Sequence, residues 1–134
     1  MRILSLIIVA LFLGLSVQAQ MPVDEVIAVG ELKGSNFLHK AQGMVAITKS
    51  NQGLYLNLDR NFSVTRGPDL FLMLRNSKDS RAAMPKLATL KQYSGAQMFK
   101  LEISEQDLMK YYQVIIYCQR FSSLFGFTIL NFEP

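Results

Sequence analysis

The clearest hydrophobic pattern in the chain is the alternation at residues 54–58 (LYLNL), where every second position is leucine. A period of two predicts a strand with one buried face. The preceding segment, Met44 to Lys49, alternates more loosely, and the turn-forming residues SNQG lie between the two segments. We therefore predict a hairpin in which Gly53 supplies a positive φ.

Two nearly continuous apolar runs, Leu70 to Leu74 and Tyr112 to Cys118, suit strands that are buried on both faces. The second run should be a central strand, because its β-branched and aromatic side chains point to both sides. Ser104 is a good N-cap, with Asp107 three residues later, and predicts one helix of about two turns. Further strands are predicted at 26–32, 96–103 and 126–132, with a short apolar segment at 87–90.

The sum of these elements predicts the fold class. Six or more short strands, one short helix and turn signals about every 8–12 residues favour an all-β protein. We predict a single-domain β-sandwich or small barrel, with no internal repeat and no linker.

The first 19 residues have the pattern of a secretory signal peptide. Arg2 precedes an uncharged apolar core, Ile3 to Leu15, and Val17-Gln18-Ala19 is a small-x-small cleavage signal. The core is shorter than the roughly 20 residues that span a membrane. We therefore expect cleavage near Ala19, a domain over 20–134 without a membrane span, and a periplasmic or secreted location.

Composition narrows the possible chemistry. The net charge of +4 comes from scattered residues, so nucleic-acid binding is not indicated. One histidine and one cysteine are too few ligands for a structural zinc or blue-copper site, and no metal is expected. No serine lies on a nucleophile elbow, so the pattern does not indicate a serine hydrolase.

Cys118, the single cysteine, allows two interpretations. It shares a strand face with Val114 and Ile116, as a buried small hydrophobe would. However, strand ends tend to be accessible, and Arg120 would point to the same face if the strand continued. A cation there would favour the reactive thiolate. Of the other candidates, His39 suits a surface or hydrogen-bonded side chain, and Asp69 suits a turn hydrogen bond to backbone.

Several short motifs occur in the order found in a known family. They are Phe37-x-His39-x-x-x-Gly43, Gly67-Pro68-Asp69-Leu70, Gly95-x-Gln97-x-Phe99, Ile116-Tyr117-Cys118-x-x-Phe121 and Phe125-Gly126. With this order, residues 34–130 resemble the DM-thirteen (electron transfer DM) domain family. The family often has tryptophan in place of Tyr117 and usually tyrosine in place of Phe99.

The resemblance implies a β-rich module whose characteristic cysteine, matched by Cys118, acts in redox chemistry. It would do so as a bare thiol or by holding a prosthetic group such as haem. Tyr117 and Phe121 would shape the surroundings of the thiol, and Arg120 would tune its charge. His39 and Asp69 are further binding candidates.

Three functional hypotheses follow. The first is an exported redox or electron-transfer module centred on Cys118, with a redox or protein partner that the sequence does not name. The second is a non-catalytic extracytoplasmic binding or matrix-interaction module, in which Cys118 is core and exposed aromatics such as Tyr55 or Tyr93 contact a ligand. The third is haem binding with Cys118 as the axial ligand, although no Cys-x-x-Cys-His motif is present.

Overall fold

A computed structural model describes residues 24–76 and 84–133 of the 134-residue chain. The predicted signal peptide lies outside these residues, as does much of the polar segment 76–86. The elements within the described residues are β1 (Glu25–Glu31), β2 (Lys33–Gly34), β3 (Ala41–Gln42), β4 (Met44–Ser50), β5 (Gly53–Leu58), β6 (Ser63–Val64), β7 (Leu70–Arg75), β8 (Lys86–Thr89), β9 (Gln97–Leu101), α1 (Glu105–Leu108), β10 (Gln113–Cys118), β11 (Ser123–Ile129) and β12 (Asn131–Phe132).

These strands form two five-stranded antiparallel sheets and a small third pair. The first sheet has the order β12-β1-β4-β5-β9, the second has the order β2-β11-β10-β7-β8, and β3 pairs with β6. The inward faces of the two large sheets share one hydrophobic core. The prediction of an all-β sandwich is therefore confirmed, and the sheets of the described residues do not close into a barrel.

The predicted hairpin and the central strand are confirmed. β4 pairs with β5 from Val45↔Leu58 to Ser50↔Gly53, and Gly53 has φ 130°. β10 lies between β7 and β11. On β10, Val114 and Ile116 join the core, and Ile115 on the opposite face is also buried.

The helix begins where it was predicted to begin but is shorter. Ser104 Oγ accepts a hydrogen bond from the Asp107 backbone N–H at 3.2 Å, as an N-cap does. α1 then ends at Leu108, after one turn instead of two. Leu108 is its only buried residue, and the β-branched and aromatic strand β10 begins five residues later, at Gln113.

The last predicted strand, 126–132, is divided between the two sheets. β11 begins earlier, at Ser123, and ends at Ile129. Leu130 is buried, and its backbone N–H donates to the Tyr112 carbonyl at 2.7 Å. After Leu130 the chain crosses to the first sheet, where β12 pairs with β1. The crossing explains why one apolar segment forms two strands.

Candidate functional site

A β-bulge in β11 determines how Phe125 is oriented. The β10–β11 register changes from Ile116↔Gly126 to Tyr117↔Leu124, so Phe125 has no partner opposite it. Such an extra residue bends the strand and redirects a side chain. Phe125 is buried and belongs to the hydrophobic core between the sheets.

His39 covers Phe125 from the loop 35–40. The two rings stack with their centroids 4.1 Å apart and their planes at 26°. The Ser35 backbone N–H donates to the Phe125 carbonyl at 3.3 Å, which fixes the start of the loop to β11. His39 Nδ1 is buried and makes no hydrogen bond with the described residues. His39 is thus a packing partner of the core here.

Gly67 allows the loop 65–69 to approach the same aromatic ring. A Cβ at Gly67 would lie 2.8 Å from Cε2 of Phe125, which is closer than real Cβ atoms approach, and in tight contact at 3.0 Å with Cδ2 of Leu70. The Tyr93 hydroxyl donates to the Gly67 carbonyl at 2.6 Å. The Arg66 guanidinium lies 5.7 Å from the centroid of the Tyr93 ring. The Gly67-Pro68-Asp69 motif is therefore held between Phe125 and Tyr93.

Cys118 is the last residue of β10, at the same end of the sandwich. It is opposite Leu70 of β7 and Ser123 of β11, and its exposure is 0%. The expectation that the strand end is accessible is wrong, because both neighbouring strands extend alongside Cys118. Its side chain belongs to the core, on the face of Val114 and Ile116 as its position in the strand predicts.

The strand does not continue to Arg120. β10 ends at Cys118, and residues 119–122 form a turn in which Ser122 has φ 47°. The condition that would bring Arg120 onto the face of the thiol is not met, and Arg120 is exposed. The turn is joined to the loop 65–69 by the Gln119 backbone N–H, which donates to the Asp69 carbonyl at 3.1 Å.

The six predicted site residues divide by location. Cys118, Asp69 and His39 come together at one end of the sandwich, and we call this end, with loops 35–40, 65–69 and 119–122, the Cys118 end. Arg120 and Phe121 are in its turn and face solvent. Tyr117 is half-buried, and alternation along β10 places it on the opposite face from Cys118. The hydrogen bond found at Asp69 is through its backbone carbonyl rather than its side chain.

The loops of the Cys118 end are connected through Phe125, Gly67 and Tyr93. The sequence did not predict that these three residues come together. The motifs Phe125-Gly126 and Gly67-Pro68-Asp69 were visible as signals. What joins them is the bulge, which the sequence pattern of β11 does not reveal.

The arrangement limits what Cys118 can hold. Axial ligation of haem requires a cysteine sulfur with an open side. Because Cys118 is fully buried among core side chains, its surroundings do not fit a haem. Within 24–76 and 84–133 no group of three or more His, Cys, Asp or Glu residues could hold a metal ion. In the same ranges no helix is long and apolar enough to cross a membrane.

Comparison with known families gives one finding. The family described as Electron transfer DM13 matches residues 31–130. This confirms the resemblance drawn from the ordered motifs, and the description points to an electron-transfer type of module. Neither a curated protein nor a solved structure matches the chain.

Proposed function

Because the chain belongs to the electron transfer DM13 family, we propose that it is an exported electron-transfer module whose redox group is the Cys118 thiol. One observation supports this proposal above the others. Four motifs of the family pattern, from three separate regions of the sequence, meet at the Cys118 end: the segment with His39, the Gly-Pro-Asp loop, and the strand end with Cys118 together with the bulge at Phe125 in the hairpin that follows it.

The burial of Cys118 determines which chemistry is possible. A thiol with no exposed surface reacts only when the protein opens locally, and only with a small reagent. A peroxide is the oxidant class that fits. The thiolate sulfur attacks one peroxide oxygen, the O–O bond breaks, and the products are a sulfenic acid and hydroxide or alkoxide. The chain has no second cysteine, so a small external thiol must reduce the sulfenic acid, forming a mixed disulfide and water.

The turn 119–122 is the part of the Cys118 end that we propose opens. It is exposed, and a single described backbone hydrogen bond joins it to the loop 65–69. Arg120 in this turn would then stabilise the thiolate that forms on opening. Two further residues act as positioning residues. The Asp69 carbonyl accepts the hydrogen bond from the Gln119 backbone N–H, and the His39 ring stacks on Phe125. Phe121 lies at the mouth of the opening.

The test uses the mature protein purified under native conditions, with Cys118→Ala as the control. We expect titration with hydrogen peroxide to add one oxygen atom to the wild type, measured by intact mass, and a thiol reductant to reverse it. Cys118→Ala should not gain this oxygen reversibly. If the wild type gains the oxygen only after unfolding, the redox role of Cys118 is refuted. A visible absorption spectrum of the same sample tests for a bound prosthetic group.

A second candidate function is favoured by the same burial. A non-catalytic binding or matrix-interaction module would keep Cys118 only as a small hydrophobic core residue. On this view a folded Cys118→Ala protein retains its physiological activity in the host. A large loss of that activity in a folded variant would contradict it.

Export is a separate part of the proposal and rests on the signal-peptide pattern of residues 1–19. Sequencing the N-terminus of the protein recovered from outside the cytoplasm tests it. A mature chain that begins at Gln20 is expected, and an intact Met1 in all fractions would refute export.

A further inference from the structure

The loop 35–40 holds two adjacent large apolar side chains in solvent. Phe37 is 84% exposed and Leu38 is 65% exposed. A third apolar side chain, Phe121, is 62% exposed in the turn 119–122. Single exposed apolar residues are ordinary on protein surfaces, but three large ones on neighbouring loops suggest an interaction surface.

Strand pairing directs both loops to the same end of the sandwich. β2 is antiparallel to β11, with Gly34 opposite Gly126. The chain after Gly34 therefore continues towards the start of β11, and Ser35 Oγ donates to the Leu124 carbonyl there. The turn with Phe121 immediately precedes β11. Phe37, Leu38 and Phe121 thus project from one end, and we call them the apolar tip.

The loop that carries the tip is fixed by many contacts. Asn36 Oδ1 accepts hydrogen bonds from the backbone N–H groups of Leu38 and His39, both at 2.9 Å. The Lys40 backbone N–H donates to Thr65 Oγ1 at 2.8 Å, and the Thr65 N–H donates to the Lys40 carbonyl at 2.9 Å. With the His39 stack added, the backbone is preorganised to present Phe37 and Leu38 outward.

The charges around the tip have mainly one sign. Loops 35–40, 65–69 and 119–122 carry three cations, Lys40, Arg66 and Arg120, and all three are exposed. Asp69 is their only carboxylate, and it is half-buried. The loops at this end therefore combine projecting apolar side chains with an excess of exposed positive charge.

We propose that the apolar tip inserts into the interface of an anionic lipid membrane. Phe and Leu side chains suit the boundary between headgroups and acyl chains, and Lys and Arg suit anionic headgroups. A deformable interface also accepts a projecting loop without a matching pocket, which a protein partner would need. The inference does not use the Cys118 thiol and therefore goes beyond the proposed redox function.

The test measures partition of residues 20–134 between buffer and vesicles, either phosphatidylcholine alone or phosphatidylcholine with phosphatidylglycerol. The wild type should bind the anionic vesicles, and added salt should weaken binding. Phe37→Ser and Leu38→Ser should each reduce partition about tenfold. Met98→Ser and Ile129→Ser are matched controls, because these side chains are 56% and 52% exposed outside the tip loops, and they should change little.

Charge variants test the second half of the inference. Lys40→Gln and Arg120→Gln should each weaken binding to anionic vesicles about fivefold, while Lys100→Gln, on β9, should not. Cys118→Ala should bind as the wild type does, so this result is separate from the redox proposal. The inference is overturned if the wild type does not bind anionic vesicles or if the control variants lose as much as the tip variants. It is equally overturned if a crosslinker at Leu38 captures only an acidic protein and no lipid.

Discussion

The His39–Phe125 stack should couple the loop 35–40 to the Cys118 end. Its geometry, with centroids 4.1 Å apart and planes at 26°, is that of a stacked pair. Such pairs contribute about 0.5–1.5 kcal/mol beyond the area that they bury. His39 is half-buried, so we expect His39→Ala to lower the free energy of unfolding by about 1 kcal/mol. Phe125→Leu should cost about 1–2 kcal/mol, because Phe125 is a core residue.

A double-mutant cycle isolates the stack from these other losses. Urea unfolding of the wild type, His39→Ala, Phe125→Leu and the double variant gives a coupling free energy, which we expect to be about 0.5–1.5 kcal/mol. The four proteins should have similar m-values, so that the differences refer to one unfolding reaction. A coupling below about 0.3 kcal/mol would refute the argument that the stack stabilises the protein.

The same variants report on Cys118. If the stack holds the Cys118 end closed, a loss of about 1 kcal/mol should raise the native alkylation rate of the thiol about fivefold. Lys86→Ala is the matched control: it removes a cation–π contact of 3.5 Å with Phe71, which lies outside the core around Cys118. The reasoning about closure fails if His39→Ala and Lys86→Ala change the alkylation rate equally.

Three further predictions concern stability, each measured by the midpoint of thermal or urea unfolding. Thr128 Oγ1 is buried and has no hydrogen-bond partner among the described residues, so Thr128→Val should stabilise the protein by about 1 kcal/mol. A clear loss of stability would mean that the hydroxyl group is hydrogen-bonded. Gly30→Ala should destabilise the protein by about 3 kcal/mol or more, because its Cβ would overlap Thr128 Oγ1 and lie 2.5 Å from the Ile129 carbonyl oxygen. If adding Thr128→Val restored the stability of Gly30→Ala, this reasoning would be contradicted, since the clash with the carbonyl oxygen remains. Tyr93→Phe removes the 2.6 Å hydrogen bond to Gly67 and should cost about 1 kcal/mol, and an unchanged midpoint would mean that water replaces it.

Parts of the fold that depend on local periodicity could be predicted from the sequence. The alternating leucines of β5 and the apolar faces of β10 predicted these strands correctly. The two-residue spacing between Ile116 and Cys118 also predicted correctly that both side chains lie on the same face of β10. The bulge at Phe125 could not be predicted, because the β11 sequence looks the same with or without an extra residue. The burial of Cys118 also could not be predicted, since it depends on β7, a strand distant in sequence, as well as on the neighbouring β11.

The pairing of the first described strand with the last has a consequence for when this domain can fold. β1 pairs with β12, and the side chain of Asn131 bonds to the Val29 carbonyl 102 positions earlier, at 3.5 Å. β2 likewise depends on β11 for its pairing. Neither sheet is therefore complete until the last strands have been synthesised, and such distant pairing slows folding. A growing chain would lack its complete sheets until β11 and β12 have emerged, and a chain that has not yet folded can be threaded through a narrow channel.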